Sequence, residues 1–117
     1  MPDDIVIWGA GGHALVVADI IRLEGKYRIA GFLDDCNPDR LGASFCGSAI
    51  LGGEEQLGNL LSAGVNRIII AIGDCQARIR LSSSSGSQGF QLAGATHHRA
   101  TVASDVAIGA GTVIAAG

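Results

Sequence analysis

The apolar positions fall into short uninterrupted runs separated by helix-like stretches. Ile5-Val6-Ile7-Trp8 is such a run, ended by Gly9-Ala10-Gly11-Gly12, and predicts a buried parallel strand entering a tight turn. His13 to Glu24 is rich in helix formers, with Gly25 placed to stop the helix. Its Leu15, Val16, Val17, Ile20, Ile21 and Leu23 occupy more than one narrow face, which predicts a helix covered on most sides by the sheet and neighbouring chain. Arg28 to Leu33 reads as a second strand delivering Asp34 and Asp35 at its carboxyl end. From Cys36 to Gly53, Pro38, glycines and small polar residues predict a loop around a weak third strand at Ala49 to Leu51. Glu54 to Ser62 reads as a short helix with acids in its first turn. Arg67 to Ile72 is the clearest strand, β-branched and apolar throughout, and leads to Gly73-Asp74. Cys75 to Leu81 reads as a helix running into Ser82–Ser87, a low-complexity loop of poor helix propensity, and Phe90 to Ala95 as a weak last strand.

Strands alternating with helices predict an α/β fold, a parallel sheet of four or five strands with helices on both faces, over residues 1–95. Ligands of such sheets bind outside the carboxyl ends of the strands. Three loops therefore converge on one crevice: Gly9 to His13, Asp34 with Asp35, and Gly73 with Asp74. After Thr96 the pattern changes to a period of six. Val102, Ile108 and Ile114 are each followed by a small residue, and Ala100, Val106 and Thr112 fill the second slot. One aliphatic residue per face and a small residue at each corner describe a triangular parallel β-helix. Residues 96–117 supply its first turn and the beginning of another.

Composition narrows the classes. With 48% hydrophobic residues and a net charge of -3, disorder is excluded for most of the chain. Gly accounts for 18 of 117 residues, about twice the usual share of roughly 7%. The eight basic residues are scattered, which argues against nucleic-acid binding. No apolar run reaches the roughly 18 residues needed to span a bilayer, and the N-terminus lacks the positive charge of a secretion signal, so a cytoplasmic protein is expected. Cys36, Cys46 and Cys75 have no zinc-ligand spacing, so neither metal nor disulfide is expected.

The segments IVIWGAGGHALVVADII, FLDD, IIIAIGD and HHRATVASDVAIGAGTVIAAG resemble, in order and spacing, the start of a bacterial family of sugar O- and N-acyltransferases. Its members include UDP-amino-sugar N-acetyltransferases and sialic acid O-acetyltransferases. The resemblance covers nearly all of this chain and a little over half of a typical member. It implies a Rossmann-like domain for a nucleotide-linked sugar, then a left-handed β-helix of hexapeptide repeats, trimerisation through that helix, and acetyl-CoA as co-substrate. By the same resemblance Gly11, Gly12 and His13 match the loop that contacts the nucleotide-sugar, Asp34 and Asp35 the strand-end acidic pair, and Gly73 the glycine of a further substrate contact. The general-base His and most of the acetyl-CoA groove are expected beyond Gly117, which leaves no catalytic residue assigned here and implies binding without turnover. The chain departs from the family in having His97-His98 where His-Pro is usual, and the serine stretch where a longer charged helix is usual.

Other readings stay open. Gly9 to Ala14 also fits GxGxxA, with Asp34 20 residues beyond Ala14, so a stand-alone nucleotide or NAD-type dinucleotide binding module without transferase activity is the competing assignment. His13 is either a ligand contact or a water-exposed first-turn residue. Of the aspartate pair one reads as a solvated turn, with Asp34, nearer the strand, the better placed for contact. Asp74 reads as a helix cap, His97 and His98 as a corner of the coil, and Cys75 lacks the partners of a nucleophile.

Overall fold

The computed structural model describes residues 3–35, 38–72, 75–93, 95–96 and 113–114. Cys36, Gly73, Asp74, His97, His98 and the hexad positions between 97 and 112 lie outside the described residues. The first strand, β1 (Asp3–Trp8), is followed by helix α1 (Gly12–Glu24) and strand β2 (Tyr27–Leu33). A 3-10 turn at Pro38–Arg40 then leads to β3 (Ser44–Phe45) and β4 (Ser48–Gly52). After a second 3-10 turn at Glu54–Gln56 come α2 (Leu57–Ser62), β5 (Arg67–Ile70), α3 (Cys75–Gln88) and β6 (Gln91–Leu92). Two short strands, β7 (Ala95–Thr96) and β8 (Val113–Ile114), pair separately.

The sheet has six strands in the order β3-β4-β2-β1-β5-β6. All neighbours are parallel except β3, which runs antiparallel to β4 at one rim. The expected parallel sheet of four or five strands is thus present, with one strand added. β3 and β4 are joined by a two-residue turn, Cys46 at φ 50° and Gly47 at φ 83°, the doubly left-handed geometry that matches strand twist in tight hairpins.

The continuous apolar strands follow from burial on both faces. Ile5 and Ile7 of β1, Phe32, Ile50 and Ile69 point to a core completed by Ala14, Val17, Ala18, Ile20 and Ile21 of α1. Their alternates Val6, Trp8, Leu33, Ile68 and Ile70 point the other way, against Leu57 and Leu60 of α2 and Leu81 of α3. Each fully buried aliphatic side chain contributes about 1.5–3 kcal/mol, so the β-branched runs commit this chain to a covered sheet. Helix α1 ends at Gly25, whose left-handed φ of 71° lets its N–H close on the Ile21 carbonyl. The helix is not covered on most sides as its composition suggested. Leu15, Val16 and Leu23 are about half exposed, because the sheet meets only one face of it.

The serine stretch corrects the sequence reading. Ser82–Ser87 is helical, and α3 runs on to Gln88. Ser85 is fully buried, with its Oγ donating to the Leu81 carbonyl at 2.7 Å. Poor helix propensity, a few tenths of a kcal/mol per residue, is outweighed by docking Leu81 and Ser85 between the sheet and the neighbouring helix. Elsewhere the strand expected at Phe90–Ala95 divides. Gln91–Leu92 extends the sheet beside β5, while Ala95 and Thr96 face Val113 and Ile114 in parallel, an offset of 18 residues, with β7 lying against α1. Among the described residues no helix is long and apolar enough to cross a membrane.

Candidate functional site

Strand β1 lies in the middle of the sheet, with β2 on one side and β5 on the other. The chain fills one side first and then crosses to the other, so the loops after β1 and β5 diverge and leave a crevice at their carboxyl ends. A cleft of about 520 Å³ occupies this position. Gly9 to His13 form its floor and one wall, Asp34, Asp35 and Arg40 a second wall, and Ala77, Arg80 and Leu81 of α3 a third. The structure therefore brings five of the six expected residues, Gly11, Gly12, His13, Asp34 and Asp35, to one cavity. The sixth, Gly73, lies outside the described residues.

The glycine turn is built by close approach. Gly9 has φ 136°, donates its N–H to the Leu33 carbonyl at 2.8 Å, and leaves no space for a side chain against the backbone of Ala71. Beyond it, α1 starts at Gly12 with Gly11 as its cap residue. No side chain caps this helix and its first turn carries no acid. Its first-turn amides and the positive end of its dipole border the cleft. His13, exposed in this turn, is the one histidine among the described residues.

The aspartates differ in a way the sequence did not reveal. Asp35 is exposed, yet both its carboxylate oxygens hold the fold: Oδ2 accepts the Trp8 indole N–H at 2.9 Å and Oδ1 accepts the Glu54 amide at 2.8 Å. It ties the end of β1 to the turn before α2 and is no solvated turn residue. Asp34 is the more enclosed, its side chain 8% exposed, and pairs with Arg40 through Oδ2 at 3.4 Å. Arg40 also donates to the Ala10 carbonyl at 2.8 Å and lies over the Phe45 ring, 5.3 Å from its centroid. A side pocket of about 130 Å³ continues from the same aspartates past Leu41, Ile50 and Glu55. There the Gly53 N–H, donating to Glu55 at 2.9 Å, lowers the Glu55 pKa from its ordinary 4.5.

Sequence reasoning missed Arg40, Arg80 and the structural role of Trp8. Arg40 sits in a stretch without periodicity, and its partners lie up to 30 residues away. Amides, carboxylates and guanidinium groups around a cavity suit a ligand that carries both an anion and hydroxyl or N–H donors. No Ser, Thr, Cys or Lys is among the described residues that line the cleft, and no group of three potential metal ligands occurs among the described residues.

Known proteins resemble this chain over nearly its whole length. A mutant of perosamine N-acetyltransferase from Caulobacter crescentus, in complex with CoA and GDP-perosamine, matches with a TM-score of 0.88 at 34% identity over 97% of this chain and 52% of that one. The acetyltransferase domain of PglB from Neisseria gonorrhoeae, in complex with acetyl coenzyme A, matches with a TM-score of 0.83 at 32% identity over 99% of this chain and 54% of that one. The chain spans about half the length of these proteins. UDP-D-quinovosamine 4-dehydrogenase from Vibrio fischeri, at 15% identity and a TM-score of 0.63 over 78% of this chain and 75% of that one, shares the fold alone. No curated protein matches. The model of the PglD N-terminal domain matches residues 4–84, a span that contains all but the first residue of β1, β2 to β5, most of α3 and the whole described cleft lining. With its glycine turn, its acidic strand end and the first five strands of its sheet in that match, the chain belongs to the PglD N-terminal domain family.

Proposed function

We propose that this chain is the acceptor-binding part of an acetyl-CoA-dependent sugar acetyltransferase, and that its cleft holds a nucleotide-linked amino sugar. The observation that carries the reading is the uncapped, acid-free start of α1 opening on a cleft whose other wall bears Asp34 and Asp35. A diphosphate suits the amides of Gly11 and Gly12 and the dipole end of the helix. Ribose or sugar hydroxyls suit the strand-end carboxylates, and His13 stands at the rim. Gly73 completes the proposed contact set.

In the reaction the acceptor's amine or hydroxyl attacks the thioester carbonyl of acetyl-CoA. The new bond to the acetyl carbon forms, the carbon–sulfur bond breaks, CoA leaves as its thiol, and a base takes the acceptor's proton. This chain's residues hold and orient the acceptor. The division into a nucleotide-sugar domain at 1–95 and a left-handed β-helix from 96 belongs to the same proposal, as does trimer formation through that helix in the cytoplasm. The parallel pairing of Ala95–Thr96 with Val113–Ile114 supports it, because three hexads make one turn of a three-sided coil.

Isothermal titration of the 117-residue chain tests the reading. UDP- and GDP-linked amino sugars are expected to bind and NADH is not. Binding of NADH with none of the nucleotide-sugars would replace this proposal with a dinucleotide module.

A further inference from the structure

We propose that Arg40 is a positioning residue that presets the glycine turn for its anionic ligand, an inference that rests on reading the cleft as a nucleotide-sugar site. Its guanidinium donates to the Ala10 carbonyl at 2.8 Å and, from the same nitrogen, to Asp34 Oδ2 at 3.4 Å. The Ala10–Gly11 peptide is planar and trans, so its carbonyl and the Gly11 N–H point in opposite directions across one rigid unit. A hydrogen bond that fixes the Ala10 carbonyl therefore fixes the aim of the Gly11 N–H. Gly11 is the cap residue of α1 and makes no side-chain bond that would hold the turn, and a glycine turn has more conformational freedom to lose on binding than any other. Restraining it beforehand removes an ordering cost from the binding step. The same guanidinium holds the nearly buried Asp34 carboxylate at the edge of the turn, so one cation sets the donor and acceptor walls relative to each other.

Arg40 is itself held. The ring of Phe45 lies under its guanidinium at 5.3 Å and meets Phe32 edge-on at 4.9 Å and 85°. The Arg40 carbonyl accepts the Ala43 N–H at 2.8 Å. The β3–β4 hairpin thus acts as the bracket of the arginine arm, and gives the antiparallel rim strand a place in the site. Lysine is a poorer substitute, because its compact, strongly hydrated ammonium lacks the flat guanidinium face that lies on the Phe45 ring.

The test uses Arg40→Ala, Arg40→Lys and Phe45→Leu in the 117-residue chain, with UDP and GDP as titrants and the Gly11 and Gly12 amide resonances followed in ligand-free protein. Arg40→Ala is expected to weaken nucleotide binding roughly ten- to a hundredfold and to shift or broaden the Gly11 amide. Arg40→Lys should recover only part of the affinity, and free guanidinium ion, well below denaturing concentration, should restore binding to Arg40→Ala without improving the wild type. Wild-type affinity in Arg40→Ala with an unmoved Gly11 amide overturns the proposal. If Arg40→Ala does not fold, Phe45→Leu, which keeps every polar partner, must still weaken binding and move the Gly11 amide, and failure to do so overturns it equally. If the wild type binds neither UDP nor GDP, the nucleotide reading fails, and the Gly11 amide comparison alone decides the positioning role.

Discussion

Replacing Gly9 with alanine tests the claim that the cleft exists because three strand ends meet without side chains between them. At Gly9 a Cβ would fall inside van der Waals contact with the Ala71 carbonyl oxygen and 3.0 Å from the carbonyl carbon, both backbone atoms that no rotamer can move. The position also has φ 136°, a conformation that side-chain-bearing residues rarely adopt. Backbone strain of this kind costs about 1–3 kcal/mol, and overpacking a tight site adds about 1–3 kcal/mol. Gly9→Ala should therefore lose roughly 2–6 kcal/mol, a large part of the about 5–15 kcal/mol available to a domain. Gly86→Ala is the control with the opposite sign, since its Cβ meets nothing within 4 Å inside α3, and relief of the helix penalty is worth about 0.5–1 kcal/mol. Urea titration followed by the fluorescence of Trp8, the chain's single tryptophan, measures both. With a denaturant slope of about 2 kcal/mol per molar, Gly9→Ala should lower the midpoint by roughly 1–3 M, and Gly86→Ala should raise it slightly. An unchanged midpoint in Gly9→Ala would refute the reasoning, because the turn could then open without cost.

Two further outcomes follow from neighbouring features. Ser85→Asp should destabilise by roughly 3–5 kcal/mol, the cost of an uncompensated buried charge, whereas Ser83→Asp, on the exposed face of α3, should stay within about 0.5 kcal/mol; equal midpoints in urea would place the serine stretch outside the core. The Arg28 hydrogen bond lowers the Asp4 pKa from its ordinary 3.8, and backbone N–H groups, first that of Gly53, lower that of Glu55 from 4.5. A carboxylate with a depressed folded pKa contributes its stability above the unfolded value and loses it as pH falls through the folded one. Asp4→Asn and Glu55→Gln should each flatten the acid limb of the midpoint–pH curve below those ordinary values, by a small amount because both groups are solvated, and an acid limb identical to wild type in both would contradict the assignment.

The parts of this fold that were legible in the sequence are those where local pattern and tertiary environment agree. β1, β2 and β5 are apolar at successive positions because both faces of the sheet are covered, and Gly25 ends α1 at the place its conformational freedom suggests. Ser82–Ser87 was illegible for the opposite reason: intrinsic preference points to a loop, and only packing around Leu81 and Ser85 makes it helical. The hairpin strand Ser44–Phe45 is too short to show a period, and its turn uses Cys46 where an asparagine would have signalled it. The glycine turn and the aspartates announce a site through their place at strand ends. What the sequence could not reveal is which aspartate is spent on the fold, because that depends on Trp8, 27 positions earlier, reaching Asp35.

Both rims of the sheet end in ladders only two residues long, Ser44–Phe45 on one side and Gln91–Leu92 on the other. A second molecule docking edge to edge would gain very few main-chain rungs, so growth into a continuous intermolecular ribbon is disfavoured. Self-association through this portion of the chain is left to contacts between side chains, and the greasy outer stripe of α1 offers more for that purpose than either rim.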